Sequence, residues 1–86
     1  MSEFEWAVEN AQKIGASVCT DYMNQSIPMV GFCLKNKWVY YWFKVVDGWL
    51  LFDHAYSMNT GKSKRGLQTR FHASTLWLPI HNVFRD

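Results

Sequence analysis

The stretch MVGFCLKNKWVYYWFKVVDGWLLFDHAY, residues 29–56, decides the fold. Two turn signals cut it into three apolar runs. Asp47-Gly48 is the stronger, because a two-residue type I′ hairpin loop needs positive φ and Asp-Gly tolerates it. Asn36-Lys37 is the weaker, since Lys is a poor second turn residue. Taken as two-residue loops, the turns set a register. Around Asp47-Gly48, Val46 faces Trp49, Val45 faces Leu50, Phe43 faces Phe52 and Tyr41 faces His54. Around Asn36-Lys37, Leu34 faces Val39, Phe32 faces Tyr41 and Val30 faces Phe43.

Both turns, placed independently, put the same residues on the core side: Val30, Phe32, Leu34, Val39, Tyr41, Phe43, Val45, Leu50 and Phe52. A slip of one residue would invert every side chain, so the agreement supports a three-stranded antiparallel meander. The opposite face collects Met29, Gly31, Cys33, Trp38, Tyr40, Trp42, Lys44, Trp49, Leu51 and Asp53. Gly31 then sits opposite Trp42, which leaves room for the indole to lie across the strand. A sheet solvated on one side is polar on that side, and this face carries three Trp and a Tyr. Either a curled C-terminal segment covers it, or it is an aromatic platform for a partner.

Upstream, Ser2 can cap a helix whose first turn holds Glu3 and Glu5. Phe4, Ala7, Val8, Ala11, Ile14 and Val18 recur at helical spacing, and Cys19 and Tyr22 continue the stripe. The pattern predicts helix over 3–23, with a possible break at Gly15. Downstream, residues 57–66 lack periodicity and read as a mobile basic surface loop. Leu67, Thr69, Phe71 and Ala73 alternate as a strand does, and Leu76, Leu78 and Ile80 form a second, with Pro79 placing it at an edge. The expected architecture is one α+β domain over 1–86, an N-terminal helix packed on a strongly twisted antiparallel sheet of four to five strands spanning 29–80.

Composition narrows the function classes. Hydrophobic content of 49% excludes disorder, and 17% aromatic lets a short chain bury much area per residue. The acidic start MSEFEWAVEN has neither a basic region nor a signal-peptide apolar run, and no stretch is long enough to span a membrane, which predicts a cytoplasmic location. Cys19 and Cys33 then read as reduced thiols. Charge is split: residues 1–26 carry four acids against Lys13, while residues 35–70 carry seven Lys and Arg against Asp47 and Asp53.

Gly61-Lys62-Ser63 invites comparison with a phosphate-binding loop, but the required upstream Gly is Tyr56 and no helix is expected to follow. His54, His72 and His81 have no ligand-like spacing to each other or to Cys, which argues against zinc. Asp53 and His54 are adjacent along a strand and are expected on opposite faces, unable to form an orienting dyad. Cys33 and His54 are likewise expected on opposite faces, against a nucleophile pair. No catalytic residue, metal or cofactor is therefore expected.

The Trp-rich meander with its ending Leu76-Trp77-Leu78-Pro79 resembles small phage-encoded domains, and the whole resembles small phage proteins that block host enzymes. That resemblance implies an inhibitor that occludes a nucleic-acid-handling or defence enzyme, and carries no residue roles. The expected partner surface comprises Trp38, Tyr40, Trp42, Lys44 and Trp49 with Lys62, Lys64, Arg65 and Arg70. Its first reading is a protein-binding module. The alternative is a single-stranded nucleic-acid binder that stacks bases on the Trp/Tyr row.

Overall fold

The computed structural model describes residues 2–13, 15–33 and 38–65. They form one helix, α1 (Glu3–Lys13), and five strands: β1 (Ser17–Cys19), β2 (Met29–Cys33), β3 (Val39–Val46), β4 (Trp49–Ser57) and β5 (Ser63–Arg65). The strands pair antiparallel in chain order, β1 to β5, and the helix packs on one face. This is the expected α+β meander. The Leu34–Val39 pairing, the Asn36-Lys37 turn and the strands expected over 67–73 and 76–80 lie outside the described residues.

The Asp47-Gly48 turn is type I′, with φ of 51° and 80°. It pairs Val46 with Trp49, Val45 with Leu50 and Phe43 with Phe52, while β2 brings Phe32 to Tyr41 and Val30 to Phe43. Between Phe43 and Trp42 the ladder shifts: Phe43 meets Phe52, but Trp42 meets His54. Asp53 is the extra residue of a β-bulge. Tyr41 therefore faces Ala55 and not His54. Past the bulge every side chain of β4 changes sides, so Ala55 and Ser57 become buried while His54 and Tyr56 join the aromatic face.

The core is Ala7 and Ala11 of the helix against Val30, Phe32, Tyr41, Phe43, Leu50, Phe52 and Ala55. Phe43 touches Phe32 edge-on at 5.7 Å between ring centroids and Phe52 at 5.4 Å. Two alanines facing three phenylalanines let the helix approach the sheet closely.

The helix is capped at both ends by sequence. Ser2 Oγ accepts the Glu5 N–H at 3.1 Å. At the other end Ala16 N–H bonds to Ala11 O and Gly15 N–H to Gln12 O, with Gly15 at φ 78°. That is a Schellman motif, which terminates a helix where only Gly adopts the left-handed conformation cheaply. The helix thus ends at Lys13, short of the expected 23. Residues 17–19 are instead strand β1, pairing Val18 with Phe32 and Cys19 with Gly31. Val18 continues the helical stripe in sequence but reaches the core from the sheet.

Helix and hairpin are joined at the turn. Phe4 N–H donates to Gly48 O at 2.9 Å, and Leu50 N–H, which points away from β3, donates to Glu3 Oε2 at 2.9 Å. The other Glu3 oxygen is buried and has no hydrogen-bond partner among the described residues. Residues 57–65 are also more regular than expected. Ser57 ends β4, Gly61 at φ 71° closes a short loop, and Ser63–Arg65 pairs with His54, Ala55 and Tyr56.

Three stability outcomes follow from this packing. Phe43→Ala or Phe52→Ala should each cost about 3–5 kcal/mol, the range for buried Phe, read as loss or a large drop of the thermal midpoint. Glu3→Ala should cost about 1–3 kcal/mol by stranding the Leu50 amide, and hydrogen exchange at that amide should accelerate. A Cβ at Gly31 would stand 2.8 Å from the Trp42 ring, so Gly31→Ala should shift the Trp42 indole resonance in an amide NMR spectrum. An unmoved Trp42 signal would refute the β2–β3 register.

Candidate partner-binding surface

The face away from the helix is aromatic because β3 alternates. Tyr41, Phe43 and Val45 turn to the core, so Tyr40, Trp42 and Lys44 turn outward. Trp42 lies across Gly31, the only residue type that leaves space there. Tyr40 stacks beside it at 5.7 Å and 24° between planes, and His54 on the other side at 6.3 Å and 19°. Three rings on two strands make one row of near-parallel planes. Tyr22, from the connection between β1 and β2, meets Trp42 edge-on at 5.3 Å and 76°. That connection rises over the sheet and forms a wall.

The result is an open cleft of about 420 Å³ lined by Tyr22, Gln25, Met29, Trp42, His54 and Tyr56. Its size falls in the range of small-molecule and side-chain pockets, about 300–1,000 Å³. A second cleft of about 430 Å³, lined by Asp53, His54, Ser63 and Arg65, adjoins it. His54 borders both.

The bulge explains the polar cleft. It places Asp53 and His54 side by side, with His54 Nδ1 2.6 Å from Asp53 Oδ2, where strict alternation predicts opposite faces. An ionised carboxylate only accepts, so Nδ1 carries the proton and Nε2 is the ring's remaining polar atom. Asp53 is 6% exposed, and its other oxygen lies 3.7 Å from both Lys44 Nζ and Arg65 Nη1. A carboxylate this buried persists as a charge only when paired, and here three basic side chains surround it. The orienting dyad excluded by alternation is thus present, and His54 shares its face with Cys33, since Cys33 pairs with Tyr40 and His54 with Trp42. Burial pushes the Cys33 thiol above its ordinary pKa, against a smaller opposing effect of the Val39 backbone, so it stays a protonated thiol near neutrality and a poor nucleophile. Cys19 and Cys33 form no disulfide. Among the described residues no group of three His, Cys, Asp or Glu is placed to hold a metal, and no helix is long and apolar enough to cross a membrane.

The expected partner residues divide. Tyr40, Trp42 and Lys44 sit together on the outer face, half-buried. Trp49 is 40% exposed near the hairpin turn, and Trp38, just ahead of β3, is 66% exposed. The basic group is split by strand alternation. Arg65 pairs with His54 on the aromatic face, whereas Lys64 pairs with Ala55 on the helix side. Lys62 lies in the loop and is exposed. Arg70 lies outside the described residues. Sequence reasoning missed Tyr22, Gln25, Met29, Asp53, His54, Tyr56 and Ser63 as cleft residues. The usable signal was Asp53-His54 itself, a polar pair interrupting an apolar strand.

Burial first, and then Cys33, Cys19 and Asp21, push the Tyr40 phenol above its ordinary pKa. Tyr41 is raised by burial and then by Cys33. Both phenols are neutral donors at physiological pH.

Compared with known proteins, the chain matches no family model, no curated protein and no solved structure.

Proposed function

We propose that this chain is a non-enzymatic protein-binding module, and that the aromatic sheet face with its cleft is the surface it presents. The observation that carries the reading is the Tyr40–Trp42–His54 row, which among the described residues borders an open cleft under the Tyr22 wall while the helix buries the other face. Aromatic and Arg side chains dominate interface energetics, and here they sit on strands braced by a packed core. Braced anchors lose little conformational freedom on binding, which is where much of an interface's cost lies.

The resemblance to small phage inhibitors supports a finer version of the proposal: the module acts by occlusion, covering the working surface of a nucleic-acid-handling or defence enzyme. A domain this size masks a site well, because a standard interface takes only about 800 Å² from each partner.

A single-stranded nucleic-acid reading has one observation in its favour, the row of near-parallel rings on which bases could stack. The charge distribution weighs against it. Of the expected basic residues, Lys64 lies on the helix side, and Lys44 and Arg65 both contact Asp53. Among the described residues, what remains on the aromatic face is too little to neutralise a run of phosphates.

The test is affinity. After capture of the partner from the native host, Tyr22→Ala with Tyr56→Ala should weaken binding by at least about 30-fold, as for a hot-spot pair, with the circular dichroism spectrum unchanged. Lys62→Ala with Lys64→Ala should leave binding within about two-fold. A 15-nucleotide single strand should show no measurable binding at physiological salt. Tight oligonucleotide binding with a steep salt dependence, lost in the lysine variant, would overturn the proposal in favour of nucleic acid.

A further inference from the structure

We infer that the paired clefts select a protein segment carrying an aromatic side chain followed, two residues on, by a carboxylate. This deepens the protein-binding reading and rests on it. The 420 Å³ cleft supplies the aromatic half. Its lining is Tyr22 set nearly perpendicular to Trp42, Tyr56, the flat His54 ring and the thioether of Met29. Aromatic rings favour edge-to-face and offset contacts with one another, and methionine sulfur adds favourable contacts to a ring edge.

The adjoining polar cleft supplies the anion half. Arg65 is its principal donor: the side chain is 76% exposed, and its ion pair with Asp53 is a long 3.7 Å contact. A guanidinium has five N–H donors in a fork that fits a carboxylate. The Ser63 hydroxyl lines the same cleft. Asp53 would repel an incoming carboxylate, but it is held by His54, Lys44 and Arg65. Counting the charges at the cleft, Lys44 and Arg65 against Asp53 leave one positive unit. That suits a single carboxylate and falls short of a phosphodiester chain.

The geometry also sets spacing and direction. His54 borders both clefts, so the two subsites are separated by one imidazole. In an extended segment, side chains two residues apart lie on one side about 7 Å apart. Arg65 pairs with His54, at the end of the ring row away from Tyr40, so the positive end of the face lies at β5. A segment with its acid towards β5 is favoured over the reverse.

The probes are the blocked peptides acetyl-Gly-Trp-Gly-Asp-Gly-amide and its Asp→Asn counterpart, titrated into isotope-labelled full-length protein at low salt and followed by NMR. The aspartyl peptide should bind about three- to five-fold more tightly, the size of one exposed charge contact, with shifts at Trp42, Tyr56 and Arg65. Arg65→Gln should equalise the two affinities while keeping the aromatic shifts. Equal binding of both peptides by the wild type, or binding of neither, would overturn the inference. So would tighter binding of a 5′-phosphorylated thymidine dinucleotide. The broader reading fails separately, if partner capture is insensitive to Tyr22→Ala with Tyr56→Ala.

Discussion

The pair of positive φ angles at Asp47 and Gly48 is the constraint on which the rest depends. A type I′ turn matches the right-handed twist of its flanking strands and sets pairing to the residue. From it follow Phe43 against Phe52 and, through β2, Val30 against Phe43. The same turn receives the helix. Gly48 O accepts from Phe4, and Ser2 approaches Gly48 so closely that a Cβ there would stand 2.8 Å from its own. Gly48 therefore answers two demands at once: a left-handed backbone and a bare α-carbon under the helix N-terminus.

The two faces of the sheet differ in kind. The helix side is closed by small residues on large ones and is fully apolar at its centre. The other side leaves its rings half-covered and runs into a polar group built on a buried carboxylate. Burying Asp53 costs desolvation that its partners offset only in part. An apolar residue in its place would serve folding at least as well, so the carboxylate is better explained by what it holds in position. It pins the His54 ring and draws Lys44 and Arg65 inward to one edge of the aromatic cleft.

Much of this was legible in the chain. Asp-Gly between alternating apolar runs gave the hairpin and its register as far as Phe43 against Phe52, and the register read around Asn36-Lys37 gave the Gly31–Trp42 contact, because turn chemistry and period-two patterning act locally. Three features were not. The apolar stripe of the helix passes without interruption into Val18 and Tyr22, and only Gly15 marks where the backbone leaves the helix. Strand β5 is Ser-Lys-Arg, with no apolar alternation; its pairing comes from the Gly61 turn and the partner strand. The bulge has no reliable signature in a single sequence, since one extra residue looks like any other until two strands are laid side by side. Missing it reversed the side assigned to His54, the ring that borders both clefts.

That extra residue separates the fold from the site. Take Asp53 out of the ladder and every other pairing of β3 with β4 survives: Phe52 still meets Phe43, and the histidine still meets Trp42. What disappears is the acid beneath the imidazole and the anchor for two cations. A single inserted codon in an ordinary hairpin is thus enough to add a charged edge to an aromatic surface, and a single deletion is enough to remove it. The charge of such a surface can be gained, lost or altered at one position of one strand while the hydrophobic core goes on unchanged.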